Sequence, residues 1–228
     1  MKKSFTLIEL IIVIIIIGIL YSTISFSLSN TSIYQVADKL TSHINYTRHL
    51  ALKDNKMQYY PINDSDIEIY RSKYWFKQWW QLRIGKANED YFYEIFSDTP
   101  TNSITTNFDR LGNNKNEFAV DPFNGKIMDG NGYNKELNLS YYDVKLVKYN
   151  GHNILKGDSI RIIFDNFGNC YISEGDRGDG GDINPYNKDK RIPLLNLGEI
   201  TLCQDKECKF NIKICISAKI GNAYLCSN

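Results

Sequence analysis

The chain has 228 residues, with 27 Lys and Arg, 26 Asp and Glu, and a formal net charge of +1. This balance argues against a protein that binds nucleic acid as a general polyanion, because such binding needs a surplus of basic side chains. The length suits one medium-sized domain in addition to an apolar N-terminal segment.

The first predicted element is an apolar helix. Lys2, Lys3 and Ser4 are followed by an almost unbroken run of Ile, Leu and Val. Residues 5–28 number about 24 and would span roughly 30 Å of hydrocarbon at ~1.5 Å per residue. We therefore expect a single membrane pass over 5–28. The two lysines favour a cytoplasmic N-terminus, which places the remaining residues outside the cytoplasm.

The one charged residue in this run is Glu9. A carboxylate within an apolar helix is costly, so an ionisable residue there indicates a functional role. A secretory signal peptide is a poor alternative, because no small-x-small cleavage site follows the run at residues 20–24. A plain membrane anchor is the other alternative, but it leaves Glu9 unexplained.

The residues Lys-Lys-Ser-Phe-Thr-Leu-Ile-Glu-Leu at the N-terminus resemble the class III signal of type IV prepilins and type II secretion pseudopilins. The resemblance implies that a prepilin peptidase removes a leader, residues 1–4, by cutting between Ser4 and Phe5, and that the new Phe5 amine is N-methylated. Ser4 stands where the family usually has Gly. In a helix bundle, Glu9 of one subunit would pair with the Phe5 amine of a neighbour, since opposite charges attract strongly at low dielectric.

Helical periodicity continues beyond the apolar run and predicts one helix from about Phe5 to about Asp54. Its second half, residues 29–55, would pack on a soluble domain outside the cytoplasm. The apolar stripe that would make this contact consists of Ile33, Val36, Ala37, Leu40, Ile44, Thr47 and Ala51.

The stretch Thr47-Arg48-His49-Leu50-Ala51 resembles the A-R-x-x-A sequence of the minor pseudopilins of the GspH/FimT type, with Thr47 in place of Ala. An ordinary amphipathic helix with a solvated Arg48 is the alternative.

Residues 56–228 change to short β-like runs separated by Asn, Asp and Gly. Strands joined without intervening helices predict antiparallel sheets. The predicted fold class is therefore α+β, with a long N-terminal helix packed on a C-terminal antiparallel β-sheet domain. Residues 99–138 and 173–182 are predicted to be loops. The candidate strands are Met57–Ile62, Trp75–Ile84, Tyr91–Phe96, Leu137–Tyr149, Ile160–Phe164, Cys170–Ser173, Ile200–Cys203, Phe210–Ser217 and Ala223–Cys226.

Two predicted hairpins extend the resemblance to the GspH/FimT type. Residues 160–171 resemble the F-x-x-x-G hairpin of those proteins, with Gly168 in the turn. Residues 210–226 resemble their closing hairpin, with a turn at Ile220-Gly221-Asn222.

Five cysteines lie in the C-terminal quarter. A location outside the cytoplasm permits disulfides. The spacing favours a Cys203–Cys208 bond around a short loop and a Cys215–Cys226 bond across a hairpin, which leaves Cys170 over. Reduced buried cysteines and a four-cysteine zinc site are the alternatives, although the spacing fits no standard zinc pattern.

Metal binding has weak support. Asp176, Asp179 and Asp182 lie in a Gly-rich segment that could ligate Ca²⁺, and a solvated acidic turn is the alternative. The stretch Asp129-Gly130-Asn131-Gly132 resembles the opening of an EF-hand loop, but later ligand positions are poorly occupied. Two histidines, His43 and His49, fall on the long helix at a spacing that does not place them on one face.

The expected function is structural. The resemblance implies a minor pseudopilin, an assembly subunit of a periplasmic type II secretion pseudopilus, without enzymatic activity or cofactor. Its expected partners are other pilins or pseudopilins in a filament, the prepilin peptidase/methyltransferase, the inner-membrane assembly platform and membrane lipid. The expected location is the inner membrane, crossed once, with a periplasmic globular domain.

The alternative function is that of a type IV pilus or competence pilin that binds DNA for uptake. Phosphate contacts would come from lysines near the C-terminus, and nearby acidic residues dilute this positive charge. The candidate contacts are Lys206, Lys209, Lys213 and Lys219.

Overall fold

A computed structural model describes residues 7–56, 78–97, 117–174, 192–193, 198–218 and 220–227. For residues 22–31, 173–174 and 192–193 it describes the backbone alone. In these ranges one long helix is followed by antiparallel strands in two five-stranded sheets. The predicted α+β class is confirmed, with the helix before the sheets.

The helix α1 runs from Leu7 to Lys53 without interruption. The predicted apolar stripe is correct, because all seven of its residues are buried against the sheets. Burial of each Leu or Ile in such a stripe contributes roughly 1.5–3 kcal/mol. Just beyond the helix, Asp54 Oδ2 accepts a 2.9 Å hydrogen bond from Trp80 Nε1, which fixes the end of α1 to the sheet domain.

In the described residues, ten strands follow α1 and define two sheets of orders β2-β1-β5-β6-β7 and β10-β9-β8-β3-β4. All pairings between the strands are antiparallel. The strands are β1 (Trp80–Ala87), β2 (Asp90–Ser97), β3 (Leu146–Tyr149), β4 (His152–Asn153), β5 (Ser159–Phe164), β6 (Cys170–Glu174), β7 (Ile192–Pro193), β8 (Gly198–Cys203), β9 (Asn211–Ile216) and β10 (Ala223–Leu225).

The second half of α1 touches both sheets, through β1 and β5 on one side and β9 and β10 on the other. One apolar core therefore joins the helix to the two sheets. Asn45 fixes the position of β10 directly. Its side-chain amide donates to Ala223 O and its side-chain oxygen accepts from Ala223 N, both at 2.9 Å.

The two predicted hairpins are present. In the first, β5 and β6 pair with Phe164 opposite Cys170, and Gly168 adopts a φ of 79° in the turn. In the second, β9 and β10 pair, and Gly221 has a φ of 68°. These positive φ values explain why glycine occupies both turns.

The stretch predicted to be a loop, residues 99–138, is described from residue 117, and no strand or α-helix lies in that described part. Residues 117–138 lie along the free edge of β2, where Phe118 pairs with Phe96, Asp129 with Glu94 and Asn138 with Phe92. An edge strand has unpaired backbone groups that need partners, and this segment supplies them.

The predicted strand Leu137–Tyr149 was wrong in its first part. Residues Lys135–Leu137 and Leu139–Tyr142 form 3₁₀-helices, and only Leu146–Tyr149 is a strand. The side chains of Asn134 and Asn138 accept hydrogen bonds from backbone amides of the following residues, which favours turns over strand.

The predicted strand Trp75–Ile84 begins at Trp80 in the described part of the chain. Trp79 precedes it and stacks on Tyr171 at 5.5 Å between ring centroids, so this side chain contributes to packing. Trp75, Phe76 and the predicted strand Met57–Ile62 lie outside the described residues.

Candidate assembly site

The first part of α1, Leu7–Tyr21, is exposed on all sides. Its large apolar side chains are 43–78% accessible, so the chain itself leaves them uncovered. Apolar surface on this scale marks a contact with lipid or with other protein. No helix among the described residues reaches both the length and the hydropathy of a membrane span.

Glu9 lies in the first turn of α1 and is exposed. A carboxylate is favoured at this end of a helix, where the macrodipole is positive. Ser4 and Phe5 lie outside the described residues. The cut between them, the methylation of Phe5 and its pairing with Glu9 of a neighbour therefore stay predictions.

A buried polar cluster joins the second half of α1 to the sheet domain. His43 is fully buried, and its Nδ1 lies 2.8 Å from the hydroxyl of Tyr93 on β2. On its other side, Nε2 lies 3.8 Å from Asp121 Oδ2, which is too far for a hydrogen bond. Burial lowers the pKa of His43 to about 4. The nearby Asp121 carboxylate raises this pKa, but its effect is smaller than that of burial. The imidazole is therefore neutral near pH 7.

Arg48 lies on another side of the helix and reaches the β5–β6 turn. Its Nε donates to Gly168 O at 3.3 Å. A Cβ on Gly168 would lie 3.1 Å from the Arg48 side chain and 3.1 Å from Leu52 Cδ2. Arg48 is therefore half-buried, with its side chain between α1 and this turn.

Two disulfides are present in the second sheet. They join Cys203 to Cys208 and Cys215 to Cys226, the pairs that the spacing favoured. The second bond ties β9 to the end of the closing hairpin, which lies against α1. Cys170 is reduced and buried, and burial raises the pKa of its thiol to about 12.

Residues 1–21 match the family model of the prokaryotic N-terminal methylation motif. The N-terminus is that of a type IV pilin-like protein. The motif implies a membrane-anchored N-terminus and assembly with other pilins into a pilus-like filament. It does not distinguish a secretion pseudopilin from a pilus or competence pilin. No match was found among curated proteins or solved structures.

The lysines predicted to contact DNA in this pilin-like chain are partly neutralised. Lys209 pairs with Glu207, and Lys213 Nζ lies 3.2 Å from Glu199 Oε2. Lys206 is exposed, and Lys219 lies outside the described residues. Both ion pairs are largely exposed and therefore weak, so contact of these lysines with DNA phosphates stays a prediction.

The calcium candidates Asp176, Asp179 and Asp182 also lie outside the described residues. Asp129 is nearly buried, and its Oδ1 accepts hydrogen bonds from the backbone amides of Asn131 and Gly132. The EF-hand-like stretch is therefore an Asx turn. Among the described residues, no three His, Cys, Asp or Glu side chains come together as metal ligands.

The cluster of His43, Tyr93 and Asp121 was missed by the sequence analysis. A signal for its helical member was present, because His43 lies three residues after Leu40 and four before Thr47, on the apolar stripe. A polar side chain in that position must be buried and must find a partner. His49, as predicted, does not share its face and is exposed.

Proposed function

We propose that this chain is a minor pseudopilin of a type II secretion system. It is processed between Ser4 and Phe5, anchored in the inner membrane by residues 5–28, and assembled with other pseudopilins into a short periplasmic filament. The observation that carries the proposal is the methylation motif over residues 1–21, which leads directly into the uncovered part of α1.

The contact between Arg48 and the β5–β6 turn supports the finer assignment to the GspH/FimT type. The resemblance rested on two separate stretches, the A-R-x-x-A-like sequence of the helix and the hairpin with Gly168. These stretches lie 120 residues apart in sequence and meet in the fold. A meeting of this kind is expected if both stretches belong to one inherited structural unit.

The proposed role is mechanical, so this chain supplies no catalytic residues. Assembly would be driven by a separate cytoplasmic ATPase, and the contribution of this subunit would be its helix and its surface. Uncharged apolar side chains on every side of Leu7–Tyr21 favour bundling with like helices. Within such a bundle, Glu9 and the Phe5 amine would fix the axial register, because leaving either charge unpaired is costly.

Mass spectrometry of the mature N-terminus tests the processing step. The expected species begins at N-methyl-Phe5. Ser4→Gly restores the residue usual in the family and is expected to be processed at least as completely. A chain that still begins at Met1, or one cut after the apolar run, would contradict the proposal.

Glu9→Ala tests the assembly step. The variant should insert in the membrane normally and be absent from filaments, because its Phe5 amine finds no carboxylate in the bundle. Asp38→Ala removes an exposed carboxylate from the same helix and is the matched control, expected in filaments at the wild-type level. Incorporation of Glu9→Ala into filaments at the wild-type level would contradict the proposed pairing of Glu9 with the Phe5 amine.

The alternative, a pilus or competence pilin, is separated from a secretion role by the phenotype of a deletion strain. Loss of secreted proteins with intact DNA transformation supports secretion. The reverse pattern supports DNA uptake.

A further inference from the structure

The sequence contains four Asn-x-Ser/Thr triplets, each with a residue other than Pro in the middle. This triplet is the acceptor sequence for glycosylation of an asparagine side chain in proteins that leave the cytoplasm. The four asparagines are Asn30, Asn45, Asn63 and Asn138. A sugar is compatible with the fold only where the side-chain nitrogen has no other partner and has space around it.

Asn45 does not meet this condition, because both ends of its side-chain amide are occupied. Its Nδ2 donates to Ala223 O and its Oδ1 accepts from Ala223 N, both at 2.9 Å. A sugar on Nδ2 would displace β10 from α1. For Asn30 the structure describes the backbone alone, and Asn63 lies outside the described residues.

Asn138 has a bonded oxygen and an unbonded nitrogen. Its Oδ1 caps the 3₁₀-helix Leu139–Tyr142 by accepting hydrogen bonds from Ser140 N at 2.9 Å and Tyr141 N at 3.3 Å. Backbone N–H groups only donate, so these two bonds fix which end of the amide faces the turn. The nitrogen therefore faces away from the turn, without a hydrogen bond to any described residue.

Asn138 also lines an open recess of about 340 Å³ on the sheet domain. Small-ligand sites in proteins span roughly 300–1,000 Å³, so this recess has room for a sugar ring. The other side chains that line it are exposed and make no hydrogen bond or ion pair with described residues; they are Asp90, Asn131, Lys135 and Tyr141. The polar groups among them can bond sugar hydroxyls, and the Tyr141 ring offers an apolar face to sugar C–H groups.

A carboxylate distinguishes this triplet from the other three. Glu136 lies two positions before Asn138. At the same position, the other triplets have Leu28, His43 and Pro61. The acceptor at Asn138 thus presents a negative charge that a transferase can recognise, and charge complementarity of this kind gives specificity.

We propose that Asn138 is an N-glycosylation site, modified as the chain leaves the cytoplasm. The proposal depends on the extracytoplasmic location that the proposed function gives to the sheet domain. Modification precedes folding, because in the folded chain the Ser140 hydroxyl accepts a 2.9 Å hydrogen bond from Tyr91 N and is not free for a transferase. The recess then holds the first sugar once the chain has folded.

The donor is a lipid-pyrophosphate-linked oligosaccharide, and a membrane transferase catalyses the step. Nδ2 of Asn138 attacks the anomeric carbon of the first sugar. A bond forms between Nδ2 and that carbon, and the bond from the carbon to the pyrophosphate oxygen breaks. Lipid pyrophosphate leaves with the bonding electrons, and a base of the transferase takes one amide proton.

Mass spectrometry of peptides from the full chain, purified from its own cells, tests the proposal. The peptide that contains Asn138 should carry the added mass of an oligosaccharide and release sugar fragment ions. Asn138→Asp keeps an oxygen to cap the 3₁₀-helix but removes the nitrogen, so this variant should lose the glycan. Asn131→Asp changes an asparagine of the same recess that has no acceptor triplet, and this matched control should keep the glycan.

The hydroxyl of the triplet provides a second pair of variants. Ser140→Thr should keep the glycan and Ser140→Ala should lose it, because the acceptor sequence requires Ser or Thr. An unmodified wild-type peptide would overturn the proposal. So would a glycan on Asn30 or Asn63 alone, or one that persists on the same peptide of Asn138→Asp.

The N-terminal peptide of the same digest separates this failure from that of the proposed function. If the chain begins at N-methyl-Phe5 and Asn138 is unmodified, only the glycosylation site is wrong. If the chain still begins at Met1, the proposed function is wrong.

Discussion

At the scale of single residues, burial decides the chemistry. His43 is enclosed between α1, Tyr93 on β2 and Asp121 at the base of a turn, with Lys39 one helical turn away. Loss of water disfavours the imidazolium more than the nearby carboxylate favours it, so the pKa of His43 falls to about 4. Folding therefore releases a proton that the unfolded chain would hold in mildly acidic solution.

This pKa difference makes stability depend on pH. The pKa of His43 is 6.5 in the unfolded chain and about 4 in the folded chain. The folded state is therefore most stable above pH 6.5, where the imidazole is neutral in both states. This stability is lost as the pH falls towards 4, because the unfolded chain then binds a proton that the folded chain does not. The change amounts to about 3–4 kcal/mol at most. His43→Gln keeps a partner for Tyr93 and should flatten the unfolding free energy over this window, measured by urea titration in detergent. His49→Gln is the exposed control, and its curve should follow the wild type.

The free thiol gives a second prediction at this scale. Burial raises the pKa of Cys170 to about 12, so almost no thiolate forms near pH 8 and alkylation should be slow. Iodoacetamide should leave the folded chain unmodified and should modify one cysteine after unfolding without reductant. Modification of more than one cysteine in the unfolded chain would show that a disulfide is missing.

At the scale of elements, the segment 117–138 shows how an irregular stretch can be as fixed as a strand. Gly130 passes so close to β2 that a Cβ would lie 2.3 Å from Tyr93 O and 2.9 Å from Leu137 O. Both are backbone atoms, which cannot move aside without displacing their own strand or helix. Glycine is required here for close approach of two backbones.

Gly130→Ala should therefore lower the free energy of unfolding by about 2–3 kcal/mol. Gly85→Ala is the control, because its Cβ would meet only the ring of Phe92, at 3.1 Å, and a side chain can adjust. Chemical denaturation of both variants in detergent provides the comparison. Equal stability of the two would mean that segment 117–138 shifts freely on β2.

At the scale of the whole molecule, charge bears on the choice between secretion and DNA uptake. The net charge is +1, and two of the predicted DNA-contacting lysines already pair with Glu207 and Glu199. Counterion release from DNA, the main source of non-specific affinity, scales with the number of phosphates that free cations contact. Glu207 and Glu199 lower the net positive charge that the described part of the C-terminal region presents to DNA.

The full-length chain in detergent should accordingly show no retardation of duplex DNA at about 150 mM salt. An electrophoretic mobility assay over a salt series measures this. Binding that weakens with salt and is further weakened by Lys206→Glu would contradict the expectation and favour a competence role.

The sequence by itself determined the elements whose signal is local. The N-terminal motif, the helix to Lys53 and its buried stripe follow from short-range periodicity, and the two glycine turns follow from the need for positive φ. The disulfide pairs followed from spacing within predicted hairpins. For these features, neighbouring residues carry the information.

Only the tertiary structure decided the features that depend on distant residues. The pairing of 117–138 with β2, the burial of His43 between Tyr93 and Asp121, and the contact of Arg48 with Gly168 join positions 22 to 120 apart. Sequence periodicity fixes which face of an element is apolar, but packing of the elements decides which distant surface meets it.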